Sequence, residues 1–157
     1  MDLIKGIAIC AGLDSIDVEG STGTLNTNYE GKAQAAIDAL LRDGCDFAYI
    51  HLEAPDEMGH QGLVKEKVQS IEYLDSRVIA PICHAMEQAG EDYRILVLPD
   101  HPTPIRIRTH SSDPVPYVLY DSTRQEKKRA HYTEAEAQAT GIFYPQGYVL
   151  LDKLLNK

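Results

Sequence analysis

Phe47-Ala48-Tyr49-Ile50-His51-Leu52 is a nearly continuous apolar run, and Arg94-Ile95-Leu96-Val97-Leu98 is a second, leading straight into Pro99-Asp100-His101. Runs this short, bounded by polar turns, predict core strands buried on both faces, as parallel strands are. Between them, residues 64–88 carry Val68, Ile71, Leu74, Val78 and Ile82 at helical spacing, with Pro81 placed to kink or divide the helix. Upstream, Ala33, Ala36, Ile37 and Leu40 predict a helix over residues 31–42 that stops at Asp43-Gly44. Ile7-Ala8-Ile9-Cys10-Ala11 and Ser15-Ile16-Asp17-Val18 read as extended, and Gly20-Ser21-Thr22-Gly23 as a loop. Downstream, Tyr117-Val118-Leu119-Tyr120 predicts a third core strand. Thr133 with Glu136 resembles a capping box, and residues 147–155 suit a terminal helix. The charged residues 125–129 read as a solvated loop or helix face. The fold expected is α/β, a largely parallel sheet flanked by helices, with residues 1–157 as a single domain and no internal repeat.

Composition narrows the function. Of 157 residues, 43% are hydrophobic and 25% charged, and 15 Lys and Arg stand against 24 Asp and Glu, giving a formal net charge of −9. That sign excludes nucleic acid and anionic membranes as natural partners. No stretch approaches a membrane span, and Met1-Asp2 does not begin a signal peptide, so the expected compartment is the cytoplasm. Cys10, Cys45 and Cys83 are odd in number and widely spaced, which predicts buried free thiols rather than a metal or redox pair.

The chemistry falls at the carboxyl ends of the predicted strands, where open α/β sheets bind ligands. Asp56 and His60 lie in the polar, glycine-containing loop expected after Leu52. Asp100 and His101 end the next strand, and His110 precedes the third. Carboxylates mixed with imidazoles suit Mn²⁺ or Zn²⁺. Each group has a plainer reading alone: Asp56 and His60 as a surface pair, Asp100-His101-Pro102 as turn chemistry, His110 as a structural histidine. Their common placement along one sheet edge favours a metal site.

Pro55-Asp56-Glu57-Met58-Gly59-His60, Leu98-Pro99-Asp100-His101 and Thr109-His110-Ser111-Ser112-Asp113-Pro114-Val115-Pro116 resemble, in order, three metal-binding motifs of the alkaline phosphatase superfamily. Asn26-Thr27-Asn28-Tyr29-Glu30-Gly31-Lys32 and His51-Leu52-Glu53-Ala54-Pro55-Asp56 narrow the resemblance to the archaeal-type 2,3-bisphosphoglycerate-independent phosphoglycerate mutases, and it covers essentially the whole chain. The resemblance implies an alkaline phosphatase-like core and two adjacent divalent ions, Mn²⁺ or Zn²⁺ with Mg²⁺ or Co²⁺ as alternatives. Asp56, His60 and His110 would hold one, while Asp100 and His101 contribute to the other. It also implies a serine that carries the phosphoryl group between the hydroxyls of 2-phosphoglycerate and 3-phosphoglycerate in glycolysis.

That serine, an early metal-ligating aspartate and the substrate-binding insert belong to a family segment with no counterpart here. The resemblance is therefore to a carboxyl-terminal, metal-binding portion whose second site is incomplete. Ser21, Thr22, Ser111 and Ser112 are local hydroxyls better suited to turns and caps than to replacing the nucleophile. His51 and Glu53 are placed to orient a ligand imidazole, with a satisfied core residue as the alternative for His51. His84 and His131 read as structural or exposed, and Lys5, Arg106 and Arg108 as ordinary loop cations. A sheet lacking its first strands leaves an edge and an apolar face, which predicts a homo-oligomer or a complementary amino-terminal half as partner. The alternatives are another phosphotransferase or phosphatase of the superfamily, such as a homoserine kinase, and a non-catalytic metal-binding or assembly module.

Overall fold

Asn28 begins the first well-anchored helix: its side chain accepts from Gly31 N at 2.8 Å, satisfying one of the amides a helix start leaves open. In the computed structural model, which describes residues 2–124 and 131–155, this helix is α2 (Tyr29–Leu41), preceded by α1 (Asp2–Cys10). There follow α3 (Ala54–Gln61), α4 (Val64–Leu74), a π-helical turn (Asp75–Ile79), α5 (Ala80–Ala89), β1 (Arg94–Val97), β2 (Val118–Asp121), α6 (Glu134–Ala139) and α7 (Val149–Leu154). The residues group into two units, Met1–Gly90 with Thr103–Thr109, and Glu91–Pro102 with His110–Lys157.

In the first unit α2 packs against α5 and the π-helical turn. Tyr29, Ala33, Ala36 and Ala39 supply one buried face, and Val78, Ile82 and Met86 belong to the same core. Small alanines let the helices approach closely. Arg77 stacks over the rings of Tyr29 and Tyr73, with its guanidinium carbon 5.0 Å and 4.7 Å from their centroids. Its Nη2 donates to Glu30 at 2.7 Å, tying the π turn to the start of α2.

The predicted helix over residues 64–88 is divided, and the division re-phases it. Ala80 N bonds back to Asp75 O, the i→i+5 pattern of a π turn, just before Pro81, which has no amide to donate. The extra residue rotates the buried face, so Ser70 is buried while Val68 and Ile71, expected in the core, are exposed.

In the second unit β1 and β2 pair antiparallel, Arg94 opposite Asp121 and Val97 opposite Val118. Arg94 Nε donates to Asp121 Oδ2 at 2.8 Å across that register. Thr133 caps α6 by accepting from Glu136 N at 3.2 Å, which is the first half of a capping box, while the Glu136 carboxylate reaches past the cap residue to accept from His131 N at 2.7 Å. α7 packs on β1.

The architecture is mixed α/β, and it departs from the expected parallel sheet. Among the described residues the ladder is the antiparallel β1–β2 pair, and Phe47-Ala48-Tyr49-Ile50-His51-Leu52 lies outside it. Residues 7–10, expected extended, are the end of α1, since a helix closes its own backbone hydrogen bonds without a neighbouring strand. Cys10 and Cys45 are exposed and Cys83 is half-buried, so the expected buried thiols are not found. The first ends a helix with little cover, and the second follows the Gly44 turn. The charged residues 125–129 lie outside the described residues. No described helix is long and apolar enough to cross a membrane.

Asp121 gives the second unit a specific acid sensitivity. The Thr123 hydroxyl and the Arg94 guanidinium hold its carboxyl down at about 2. A folded value below the unfolded ~3.9 means that its contribution is complete above about pH 4 and is lost as pH falls toward 2. Asp121→Asn is expected to flatten the acid limb of thermal stability between about pH 4 and pH 2. An unchanged limb in the variant would exclude Asp121 as its source.

Candidate metal centre

Within the first unit, α3 turns the expected loop into a helix. Pro55 sits in its first turn with Asp56 and Glu57, His60 lies in its last turn, and Gly62 ends it in the left-handed region at φ 74°. Each choice is locally sound: proline's fixed φ suits a helix start, acids favour the N-terminal dipole, and glycine favours the left-handed cap.

The helix puts Asp56 and His60 four residues apart on one face, with His60 Nε2 3.4 Å from Asp56 Oδ2. Both side chains are about one-third exposed. The segment Thr103–Thr109 packs against α3 and fixes both groups. Thr103 Oγ1 donates to Asp56 Oδ1. His60 Nδ1 lies 3.0 Å from Arg108 O. A carbonyl only accepts, so in the neutral ring Nδ1 carries the hydrogen and Nε2 presents its lone pair beside the carboxylate. Arg108 holds this carbonyl from a left-handed backbone at φ 53°. Donors about 2.1 Å from a shared ion at a tetrahedral angle stand about 3.4 Å apart, so this pair fits a divalent cation.

Gly59 makes the packing possible. A Cβ there would stand 2.6 Å from Thr103 O and 2.8 Å from Lys67 Nζ. Lys67 Nζ in turn donates to Thr103 O at 2.9 Å. Sequence spacing identified Asp56 and His60 but missed Thr103 and Lys67, whose roles depend on contacts across 47 and 36 residues.

Within the second unit, Asp100, His101 and His110 come together. His101 Nε2 is 3.4 Å from Asp100 Oδ2, and the rings of His101 and His110 lie with centroids 3.6 Å apart, tilted by 33°. His110 is exposed and follows Arg108, whose carbonyl meets His60, by two residues along the chain. Ser111 donates to Asp113 Oδ2 at 2.7 Å, and Thr22 shares its hydroxyl with Thr24 at 3.0 Å, both short-range turn contacts. Lys5 pairs with Asp17. His84 and His131 are exposed. His51 Nε2 stands 3.4 Å from Glu53 Oε1 ahead of α3.

Comparison with known proteins supplies the relatives of this chain. The protein named "Probable 2,3-bisphosphoglycerate-independent phosphoglycerate mutase" of Geobacter sulfurreducens is 47% identical over 158 residues, covering 100% of this chain and 39% of its own length. The 2,3-bisphosphoglycerate-independent phosphoglycerate mutase of Methanothrix thermoacetophila is 53% identical over 122 residues, 78% of this chain and 31% of the relative. That of Methanosarcina mazei is 48% identical over 141 residues, 90% and 35%. The chain thus spans less than two-fifths of the length of these relatives. The solved PH0037 protein of Pyrococcus horikoshii superposes with a TM-score of 0.72 at 32% identity, covering 87% of this chain and 40% of that one. The Metalloenzyme superfamily matches residues 1–144, most of the chain, and the chain belongs to that superfamily.

Proposed function

We propose that the chain is the metal-binding portion of a cofactor-independent phosphoglycerate mutase, an enzyme that interconverts 2-phosphoglycerate and 3-phosphoglycerate in the glycolysis of the cytoplasm. In this reading Asp56, His60 and His110 hold one divalent ion, and Asp100 with His101 donates to a second. The observation that carries the reading is the α3 pair: a carboxylate and an imidazole 3.4 Å apart, each oriented by a further hydrogen bond. The names of the relatives and the order of the three motifs support the substrate.

Bound divalent cations supply charge neutralisation to phosphoryl oxygens and favour an ionised serine. The residues of this chain hold the geometry for that chemistry. Thr103 fixes one carboxylate oxygen of Asp56 and leaves the other toward His60, and the Arg108 carbonyl selects the tautomer that leaves Nε2 basic. The phosphoserine step is assigned to a serine outside these 157 residues. The apolar exposure of α1, with Leu3 76% and Ile9 67% exposed, supports an uncovered face that a complementary segment or a second copy would bury. The apolar run at residues 47–52 is proposed to join a parallel, alkaline phosphatase-like sheet in that assembly, the whole 157 residues acting as one domain of it.

Elemental analysis after dialysis against Mn²⁺, and separately Zn²⁺, near neutral pH tests the site. About one ion per chain is expected, since the second site draws on further ligands. No ion in either dialysis would remove the metal reading. Adding the amino-terminal portion of a homologous mutase is then expected to restore phosphoglycerate interconversion, and transfer to homoserine instead would reassign the substrate.

A further inference from the structure

We propose that Lys32 is a positioning residue for the metal-ligating helix α3, acting through the main-chain carbonyl of His51; the proposal rests on the metal-site reading above. Lys32 lies in the first turn of α2 and is only 8% exposed. Its Nζ donates to His51 O at 2.7 Å. Burial pushes the ammonium below the usual lysine range, while the Glu53 carboxylate works in the opposite direction. A buried cation is an unfavourable way to fill an apolar slot, and a methionine there would pack without the desolvation penalty. What the cation supplies is a charge-assisted hydrogen bond to a backbone atom in a run outside any described sheet ladder.

The position of that atom gives the bond its consequence. Glu53, two residues beyond His51, is the cap of α3, and its carbonyl accepts from Asp56 N at 3.0 Å and Glu57 N at 3.1 Å. Its side chain is confined as well, with His51 Nε2 3.4 Å from Oε1 and no room for a Cβ on Gly23, which would meet Oε2 at 2.5 Å. Lys32 therefore anchors the irregular segment immediately before the turn that carries Asp56. His60, at the far end of α3, is fixed independently through Arg108. Releasing the anchor opens the first turn of α3 and parts Asp56 from His60, although neither ligand has been changed.

The test compares Lys32→Met and Lys32→Arg with the unmodified chain. The readouts are Mn²⁺ affinity by titration calorimetry and hydrogen exchange at single amides. In Lys32→Met, affinity is expected to fall about tenfold or more. Exchange at the Asp56 and Glu57 amides should accelerate while exchange at Leu96 in β1 stays unchanged. Lys32→Arg keeps a donor and is expected to restore both readouts in part, which a merely space-filling role for Lys32 would not produce. Unchanged affinity in a folded Lys32→Met overturns the proposal, even if exchange accelerates. Should that variant fail to fold, Lys32→Gln, whose amide falls short of the His51 carbonyl, carries the same readouts. Absence of Mn²⁺ binding in the unmodified chain would refute the metal reading on its own, because exchange at Asp56 and Glu57 still reports whether Lys32 anchors α3.

Discussion

Asp56→Ala is expected to weaken binding of one divalent ion by more than about a hundredfold while the chain remains folded. The carboxylate supplies the sole anionic donor of the pair on α3, and its Oδ2 faces His60 Nε2 at 3.4 Å. Truncation also removes the acceptor for Thr103 Oγ1 and an acid from the first helical turn. Those two losses together cost about 1–2 kcal/mol, too little to unfold a typical domain. Asp56→Asn separates the effects, because an amide oxygen still accepts from Thr103 while the charge is gone. It should show nearly normal thermal stability with most of the loss in ion affinity. His60→Ala is expected to match Asp56→Ala in affinity, since it deletes Nε2 and the ring contact with Arg108 O. Calorimetric titration with Mn²⁺ beside thermal melts decides the matter: normal affinity in both alanine variants would show that α3 holds no ion.

How much of this was legible from the chain depended on how local the determining interactions are. α2 announced itself through the spacing of its alanines and the Asp43-Gly44 stop, β1, β2 and α7 through short apolar runs, and α6 through Thr133 on Glu136, signals whose satisfaction lies within a few residues or one register. α3 carried its own start and stop signals in Pro55, Asp56 and Gly62, but its polar, glycine-containing composition made it read as a loop. Pairing was less legible. Residues 47–52 have the composition of a buried strand, yet strand pairing is a property of neighbours, and the described ladder joins β1 to β2 instead. One inserted residue in the π turn moved Val68 and Ile71 out of the stripe they form on a regular helix. At the site, the spacing of Asp56 and His60 was enough to bring them together, as was the adjacency of Asp100 and His101. Thr103 and Lys32 gave no signal, because their hydrogen bonds reach across 47 and 19 residues.

Gly59→Val is the change expected to damage both stability and site without touching a ligand. Gly59 is buried within α3, where its backbone is helical and any residue fits by conformation alone. Steric fit decides against every larger one. A Cβ would stand 2.6 Å from Thr103 O, a backbone atom that also receives Lys67 Nζ, and 3.0 Å from the Thr103 methyl. Relief requires the segment Thr103–Thr109 to move off α3. That motion withdraws the Thr103 hydroxyl from Asp56 and the Arg108 carbonyl from His60, so both oriented donors lose their supports together. Overpacking of this kind costs about 1–3 kcal/mol, set against less than ~1 kcal/mol from better helix propensity. Ion affinity should fall by about tenfold or more with it. Gly62→Ala is the control. There the Cβ meets only the flexible end of Arg108, at 2.6 Å from Nε, and the penalty is the left-handed φ of 74°. It should lower stability by about 1 kcal/mol and leave ion affinity close to normal. Equal loss of affinity in the two variants would mean that the site responds to the overall stability of α3 and not to the close approach at Gly59.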